Sequence, residues 1–63
     1  MEYVIVVKGR LGESLEEALH PLSVRLRSDM TEVTLEIEDD AQLYGVLARL
    51  ERLAISIVSF EPA

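Results

Sequence analysis

The sequence predicts an α+β domain in which two helices cover one face of a four-stranded antiparallel sheet. Strand-like and helix-like periods follow one another in the order β-α-β-β-α-β, and the 63 residues have room for one small domain, residues 1–63. Right-handed crossovers place both helices on the same face of the sheet. The predicted architecture is therefore the ferredoxin-like arrangement, with strand order 4-1-3-2.

The first strand and helix are predicted from a change of period. Residues 2–8 form a strand that is apolar on both faces, as expected at the centre of a sheet. Residues 9–12 form a loop. Ser14 and Glu17 then have the spacing of a capping box, which starts a helix that Pro21 ends after about two turns.

The middle of the chain alternates between apolar and polar side chains. Residues 22–27 form one strand, with Leu22, Val24 and Leu26 facing the core. Residues 32–38 form the next strand, after a turn at residues 28–31. The outward arginines of one strand then face the outward glutamates of the other, which helps to fix the register.

The strongest helix signal begins at Asp39. Asp39 and Gln42 have capping-box spacing. Apolar residues then recur at three- and four-residue intervals and form one stripe: Leu43, Val46, Leu47, Leu50, Leu53 and Ala54. The β-branched and aromatic residues from Ile55 to Phe60 predict the last strand.

Charge and composition narrow the range of partners. Six basic and twelve acidic residues give a net charge of −6, which disfavours nucleic acids and anionic membrane surfaces. Without cysteine there is neither a disulfide nor a thiolate metal site. The first residues, MEYVIVVKGR, lack the basic start and long apolar core of a signal peptide, so we expect a cytoplasmic protein.

The residues VTLEIEDDAQLYGVLARLERLAISIVSF resemble the β3-α2-β4 half of ACT-type regulatory domains. Residues 4–19, with GRLGESLEEAL after the strand, loosely resemble their β1–α1 loop, in which a glycine lies beside a bound amino acid; Gly12 is the matching position. The resemblance implies a small-molecule ligand near Gly12 and Arg10. The chain departs from that family in its short first helix and in having no proline before Gly12.

The last third of the chain is more similar to short, stand-alone, uncharacterised bacterial proteins of actinobacterial type. This resemblance implies a fold and no established activity. The matching residues are Asp40, Gln42, Leu43, Gly45, Val46, Leu47, Arg49, Leu50, Leu53 and Ile57 to Ser59.

The sequence shows no arrangement that favours catalysis. His20 is the only histidine, and no nucleophile or orienting acid is placed beside it by spacing. We expect it to cap a helix end. An acidic cluster is open to two interpretations, a site for a hard cation or a helix cap beside a solvated strand face; we favour the second. Its members are Glu36, Glu38, Asp39 and Asp40. We expect no enzyme, no metal and no cofactor.

Two surfaces are predicted to take part in association. Gly45 lies opposite the apolar stripe of its helix, where it forms a flat strip with Ala41 and Ala48 that a partner backbone can approach closely; the alternative is a surface glycine that the helix tolerates. The second surface is an apolar patch on the sheet face away from the helices, formed by Val4, Val6, Val58 and Phe60.

These features predict a non-enzymatic association module. It forms a homo-oligomer, in the simplest case a dimer, or docks on a larger protein through its sheet, because so small a core supplies only about 3–5 kcal/mol of net stability alone. The alternative is an ACT-like sensor that binds an amino acid near the first strand–helix loop.

Overall fold

A computed structural model describes all of residues 1–63. It contains β1 (Glu2–Lys8), α1 (Glu13–Leu19), β2 (Ser23–Arg27), β3 (Met30–Glu36), α2 (Asp40–Arg52) and β4 (Ile57–Pro62). The strands form one antiparallel sheet in the order β2-β3-β1-β4, which is the predicted order read from the other edge. The predicted α+β class, sheet and element order are thus confirmed, and the topology is consistent with a ferredoxin-like arrangement.

The core lies between the two central strands and α2. Seven apolar side chains are buried there: Ile5, Val7, Val33, Leu35, Ile37, Leu43 and Leu50. Leu15 and Leu19 of α1 pack against this cluster from the same side. Both helices therefore cover the sheet face that carries Ile5 and Val7, and the other face is left open.

One row of side chains crosses the helix-covered face and shows how strand position sets burial. The register aligns Val24, Val33, Ile5 and Phe60 across the four strands. Val33 and Ile5 on the central strands are 2% and 1% exposed, whereas Phe60 on edge strand β4 is 45% exposed. The helix layer covers the middle of the sheet and leaves both edges partly open.

The start of α2 is fixed by the predicted pair Asp39 and Gln42. The Asp39 side chain accepts a hydrogen bond of 2.8 Å from the Gln42 backbone N–H. The Gln42 amide accepts from the Glu38 backbone N–H at 2.8 Å and donates to the Glu36 carbonyl at 3.0 Å. The cap therefore also ties the end of β3 to the first turn of α2.

The end of α2 is a left-handed cap without glycine. Ala54 has φ 59°, and its N–H donates to the Glu51 carbonyl at 2.9 Å. The Ile55 N–H donates to the Leu50 carbonyl at 3.0 Å, which completes a Schellman-type pattern. Ile55 also packs against the core, so the chain reverses direction directly into β4.

The capping box predicted for Ser14 and Glu17 is wrong. Gly12 is the N-cap of α1 and makes no side-chain cap bond; its carbonyl accepts from the Leu15 and Glu16 N–H groups at 3.1 and 3.0 Å. Ser14 is already inside the helix, because the extended backbone of Gly12 leads directly into the first turn.

The turn between β2 and β3 is shorter than predicted. Only Ser28 and Asp29 connect the strands, and Ser28 has φ 52°. Thr31, expected in the turn, instead pairs with Val7 and is completely buried. Its hydroxyl group donates a hydrogen bond of 2.6 Å to the Gly9 carbonyl, which satisfies the one polar side chain inside the core.

The inward side of β2 is less covered than predicted. Leu26 lies opposite buried Thr31, on the helix side of the sheet, but is 56% exposed, and Leu22 is 57% exposed. The seven residues of α1 span only about 10 Å, which is too short to cover a whole edge strand. These side chains lie on the helix-covered side of the sheet but are not buried in the core.

Candidate functional site

The open face of the sheet carries Val4 and Val6, as predicted. Val4 lies between Thr34 and Glu61, and Val6 lies between Glu32 and Ser59. Both valines are half-buried. They line a shallow depression of about 300 Å³ together with Glu32, Ser59, Glu61 and Pro62. The apolar part of this face is therefore small and has a largely acidic rim.

The prediction that Phe60 shares this open face is wrong. Phe60 is the partner of Ile5, whose side chain is in the core, so Phe60 lies on the helix side. A bulge explains the error: Val6 pairs with Ser59 and Val7 with Ile57, which leaves Val58 as an extra residue. If strict alternation is counted through Val58, the residues on one side of Val58 are assigned to the wrong face of the sheet.

Val58 and Phe60 nevertheless form an exposed apolar pair on edge strand β4. Their exposed fractions are 50% and 45%. Val4 and Val6 lie on the adjoining strand β1, on the face opposite to that of Phe60. We call Val58 and Phe60 the β4 pair. The four predicted sheet residues thus lie on the same half of the sheet, although they do not form one continuous patch.

The small-residue strip of α2 lies on the exposed surface of the helix. Ala41, Gly45 and Ala48 are all exposed. A Cβ atom built on Gly45 meets no atom within 4 Å, so nothing in this chain requires a glycine there. The strip is free to contact a partner, and such a contact remains a prediction.

The structure contains a groove between α1 and α2 that the sequence does not predict. It consists of two adjoining cavities of about 480 and 530 Å³ that share Ala18 and Arg49. The polar cavity is lined by His20, Glu36, Glu38 and Gln42 among others. The second cavity is lined by Gly12, Ser14, Leu15, Ala18, Arg49, Arg52 and Leu53. No periodicity within a single helix reveals such a groove, because it forms between two helices.

The groove contains one of the two residues predicted to bind a ligand. Gly12 lines the second cavity, and Arg10 lies in the preceding loop without lining it. Arg49 and Arg52, in the last turn of α2, supply the basic groups instead. Leu53, 54% exposed, adds apolar surface beside them.

His20 caps α1 through its backbone. It has the left-handed conformation, φ 50° and ψ 55°, and its N–H donates to the Glu17 carbonyl at 3.2 Å. Its side chain lines the polar cavity, whose wall also includes Glu36 and Glu38. The structure contains no group of three or more His, Cys, Asp or Glu side chains arranged to hold a metal ion. Asp39 of the acidic cluster is the α2 cap.

The outward arginines of β2 lie near the acidic side chains of β3, as predicted. Arg25 is the register partner of Glu32, but the ion pair to Glu32 comes from Arg27, with an N–O distance of 3.1 Å. Arg25 has no ion-pair partner within the chain. The free edge of β2 therefore combines Arg25 on one face with Leu26 on the other.

Neither helix has the length and apolar character needed to cross a membrane. No curated protein and no solved structure gives a significant match to the chain. A family profile does match, over residues 2–61, which contain all six helices and strands except the last residue of β4, Pro62. The chain therefore belongs to the family described as Domain of unknown function (DUF8691).

Proposed function

We propose that this domain is a non-enzymatic association module that forms a homo-oligomer, or docks on a larger protein, through the β4 side of its sheet. The exposure of the β4 pair is the observation that supports it most directly. Val58 and Phe60 expose 50% and 45% of their surface on one edge strand of a 63-residue domain. Burial of such side chains against a second copy contributes roughly 25 cal/mol per Å² of apolar surface. The cytoplasmic location expected from the sequence belongs to the same proposal.

The size of the domain makes this contribution significant. Only eight residues are buried, and the whole domain exposes 4411 Å². A standard interface buries about 800 Å² on each partner. Such an interface would remove roughly a fifth of the exposed surface and enlarge a core that is small for an independent domain.

The contact on the β4 side is expected to involve side chains more than backbone hydrogen bonds. The bulge at Val58 twists this edge, and Pro62 removes a backbone donor at the end of β4. Both features hinder the addition of another strand. A second copy is therefore expected to pack over Phe60 rather than to extend the sheet.

Sedimentation velocity of the full chain at high micromolar concentration tests this proposal. We expect a particle of at least twice the 7.1 kDa chain mass. Phe60→Glu is expected to reduce it to one chain, because a carboxylate is costly to bury in an apolar contact. Leu26→Glu changes an apolar residue on the opposite edge that is at least as exposed as Phe60; it is the matched control and should leave the mass unchanged. A wild-type chain that stays monomeric overturns homo-oligomerisation.

An ACT-like sensor remains the second candidate because Gly12 lies beside a cavity of suitable size. The cavity of about 530 Å³ is within the range of small-molecule sites, roughly 300–1,000 Å³. Leu15 and Leu53 line it, and Arg49 and Arg52 supply charge for a carboxylate. An amino acid with an apolar side chain fits this chemistry.

Thermal unfolding with millimolar amino acids tests the second candidate. A ligand specific to the folded state must raise the melting temperature. Arg52→Gln should remove the shift, whereas Arg25→Gln, on the other side of the sheet, should preserve it. No shift with any of the twenty amino acids at millimolar concentration excludes this function at that concentration.

A further inference from the structure

The free edge of β2 differs from the free edge of β4. Strand β2 pairs only with β3, in a regular register from Ser23↔Thr34 to Arg27↔Met30. It contains neither a bulge nor a proline, the two features that protect β4. An unprotected edge presents backbone N–H and C=O groups in the geometry that another strand requires. The two obstacles to strand addition at β4 are therefore missing at β2, where the charges of Arg25 and Arg27 instead limit which strand can pair.

The exposed side chains of β2 determine which side chains an added strand needs on the helix side of the sheet. Leu26 is 56% exposed and Leu22, just before the strand, is 57% exposed. Val24, between them, is half-buried and lies opposite core residue Val33. A segment added at this edge has to present apolar side chains on this side, at every second position, to cover these residues.

The opposite side of the sheet requires acidic side chains. Arg25 and Arg27 point to the open face, and only Arg27 has an ion-pair partner, Glu32. They are two of the six basic residues in a chain of net charge −6. Their position on one free edge creates a local basic strip on an acidic protein, which favours a partner carrying carboxylates.

We propose that the β2 edge binds an extended segment of another protein in which apolar and acidic residues alternate. The segment adds a fifth strand, its apolar side chains cover Leu22 and Leu26, and its carboxylates lie beside Arg25 and Arg27. Strand β3 already meets β2 in this way, with Val33 on the helix side and Glu32 beside the arginines. The new strand would repeat the same pairing chemistry on the other side of β2.

A second copy of the chain does not suit this edge. Pairing of β2 with β2 of another copy places arginines next to arginines across the new strand pair. Like charges in neighbouring cross-strand positions are destabilising. The surface is thus separate from the β4 pair both in position and in the partner it accepts.

A labelled peptide with the sequence of residues 31–38, TEVTLEIE, serves as the probe for the full-length domain. Fluorescence anisotropy should show saturable binding, and ¹⁵N–¹H spectra should show the largest shifts for residues 23–27. A peptide with lysine at each glutamate position should bind at least about fivefold more weakly, a difference of roughly 1 kcal/mol. Raising the salt concentration should weaken binding of the acidic peptide.

Charge reversal makes the test specific. Arg25→Glu should weaken the acidic peptide about fivefold or more and improve binding of the lysine peptide. Leu26→Glu should also weaken the acidic peptide, whereas Phe60→Glu should not, even though it is expected to disrupt the β4 contact. No binding up to millimolar peptide, equal affinity for both peptides, or shifts confined to β4 overturns the proposal. Loss of a homo-oligomer in Leu26→Glu alone also overturns it, because β2 would then bind a second copy.

Discussion

Phe60 lies directly opposite Ile5 across β4 and β1, on the same side of the sheet, yet Ile5 is 1% exposed and Phe60 is 45% exposed. The two side chains are neighbours with different roles. Ile5 is at the centre of the sheet under the helices and contributes to folding. Phe60 is at the margin of the same layer and has surface left for a partner.

This difference predicts unequal costs of truncation. Ile5→Ala should destabilise the chain by about 2–5 kcal/mol, because a large-to-small change in a closed core loses transfer energy and leaves a cavity. That loss is comparable to the whole stability of a domain this small, about 3–5 kcal/mol. Phe60→Ala should lower the free energy of unfolding of the dilute, monomeric protein by less than half as much as Ile5→Ala. Urea unfolding at low micromolar concentration measures both; equal costs would show that Phe60 belongs to the folding core.

Replacement of Gly45 should change the stability of the monomer and its self-association in opposite directions. Because its Cβ position is empty, Gly45→Ala should stabilise the folded monomer by about 1 kcal/mol through helix propensity. The added methyl group should also weaken self-association, since Gly45 is the centre of the strip with Ala41 and Ala48. Chemical unfolding in dilute solution and sedimentation at high concentration separate the two effects. Glu51→Ala, on the flank of the same helix, is the control; unchanged association in Gly45→Ala would remove the strip from the interface.

The left-handed backbone conformation of Ala54 predicts a second stabilising substitution. Its φ of 59° is in the left-handed region, which costs a residue with a side chain roughly 1 kcal/mol relative to glycine. Ala54→Gly should therefore raise the free energy of unfolding by several tenths of a kcal/mol to about 1 kcal/mol. Ala48→Gly makes the same chemical change inside α2 and should lower it by about 1 kcal/mol. Thermal melts of both variants provide the comparison, and a change of the same sign in both would contradict this account of the cap.

Salt should act in opposite directions on the two proposed surfaces. Two copies of net charge −6 repel each other, so screening by salt should strengthen the β4 contact. The attraction between Arg25 and an acidic peptide should be weakened by the same screening. Sedimentation and anisotropy at roughly 20 and 300 mM salt measure the two equilibria. Self-association that weakens with salt would indicate a charge-driven contact in place of the β4 pair.

Local signals in the sequence predicted much of the fold. The bounds of β1 are those expected, and the spacing of Asp39 and Gln42 predicts the cap that their hydrogen bond forms. Both depend on neighbours in the chain: alternation along a central strand, and the fixed spacing between an N-cap and the third helical residue. Such relationships can be read without knowing what packs against them.

Apart from the local error at the start of α1, where Gly12 and not Ser14 is the N-cap, the errors depend on contacts between distant residues. Phe60 was assigned to the wrong face because the bulge at Val58 exists only in the pairing with β1. The exposure of Leu22 and Leu26 depends on how far α1 reaches across the sheet. Thr31 is buried opposite Val7 on a central strand, and its hydroxyl group is satisfied by the carbonyl of Gly9, 22 residues earlier in the chain. The groove beside Arg49 likewise depends on the separation between two helices. None of these quantities is encoded in local periodicity.

The bulge in β4 also has a consequence for the order in which the domain assembles. Ile57 and Phe60 lie on the same side of the sheet although they are three residues apart, because Val58 is the extra residue. A spacing of three is typical of one face of a helix and not of a strand. The side-chain spacing of this last segment is therefore not that of a regular strand, and pairing with β1 decides which of its side chains face the core. We expect β4 to be the last strand to dock, and its amide protons to exchange with solvent faster than those of β1, because β4 has a neighbouring strand on one side only.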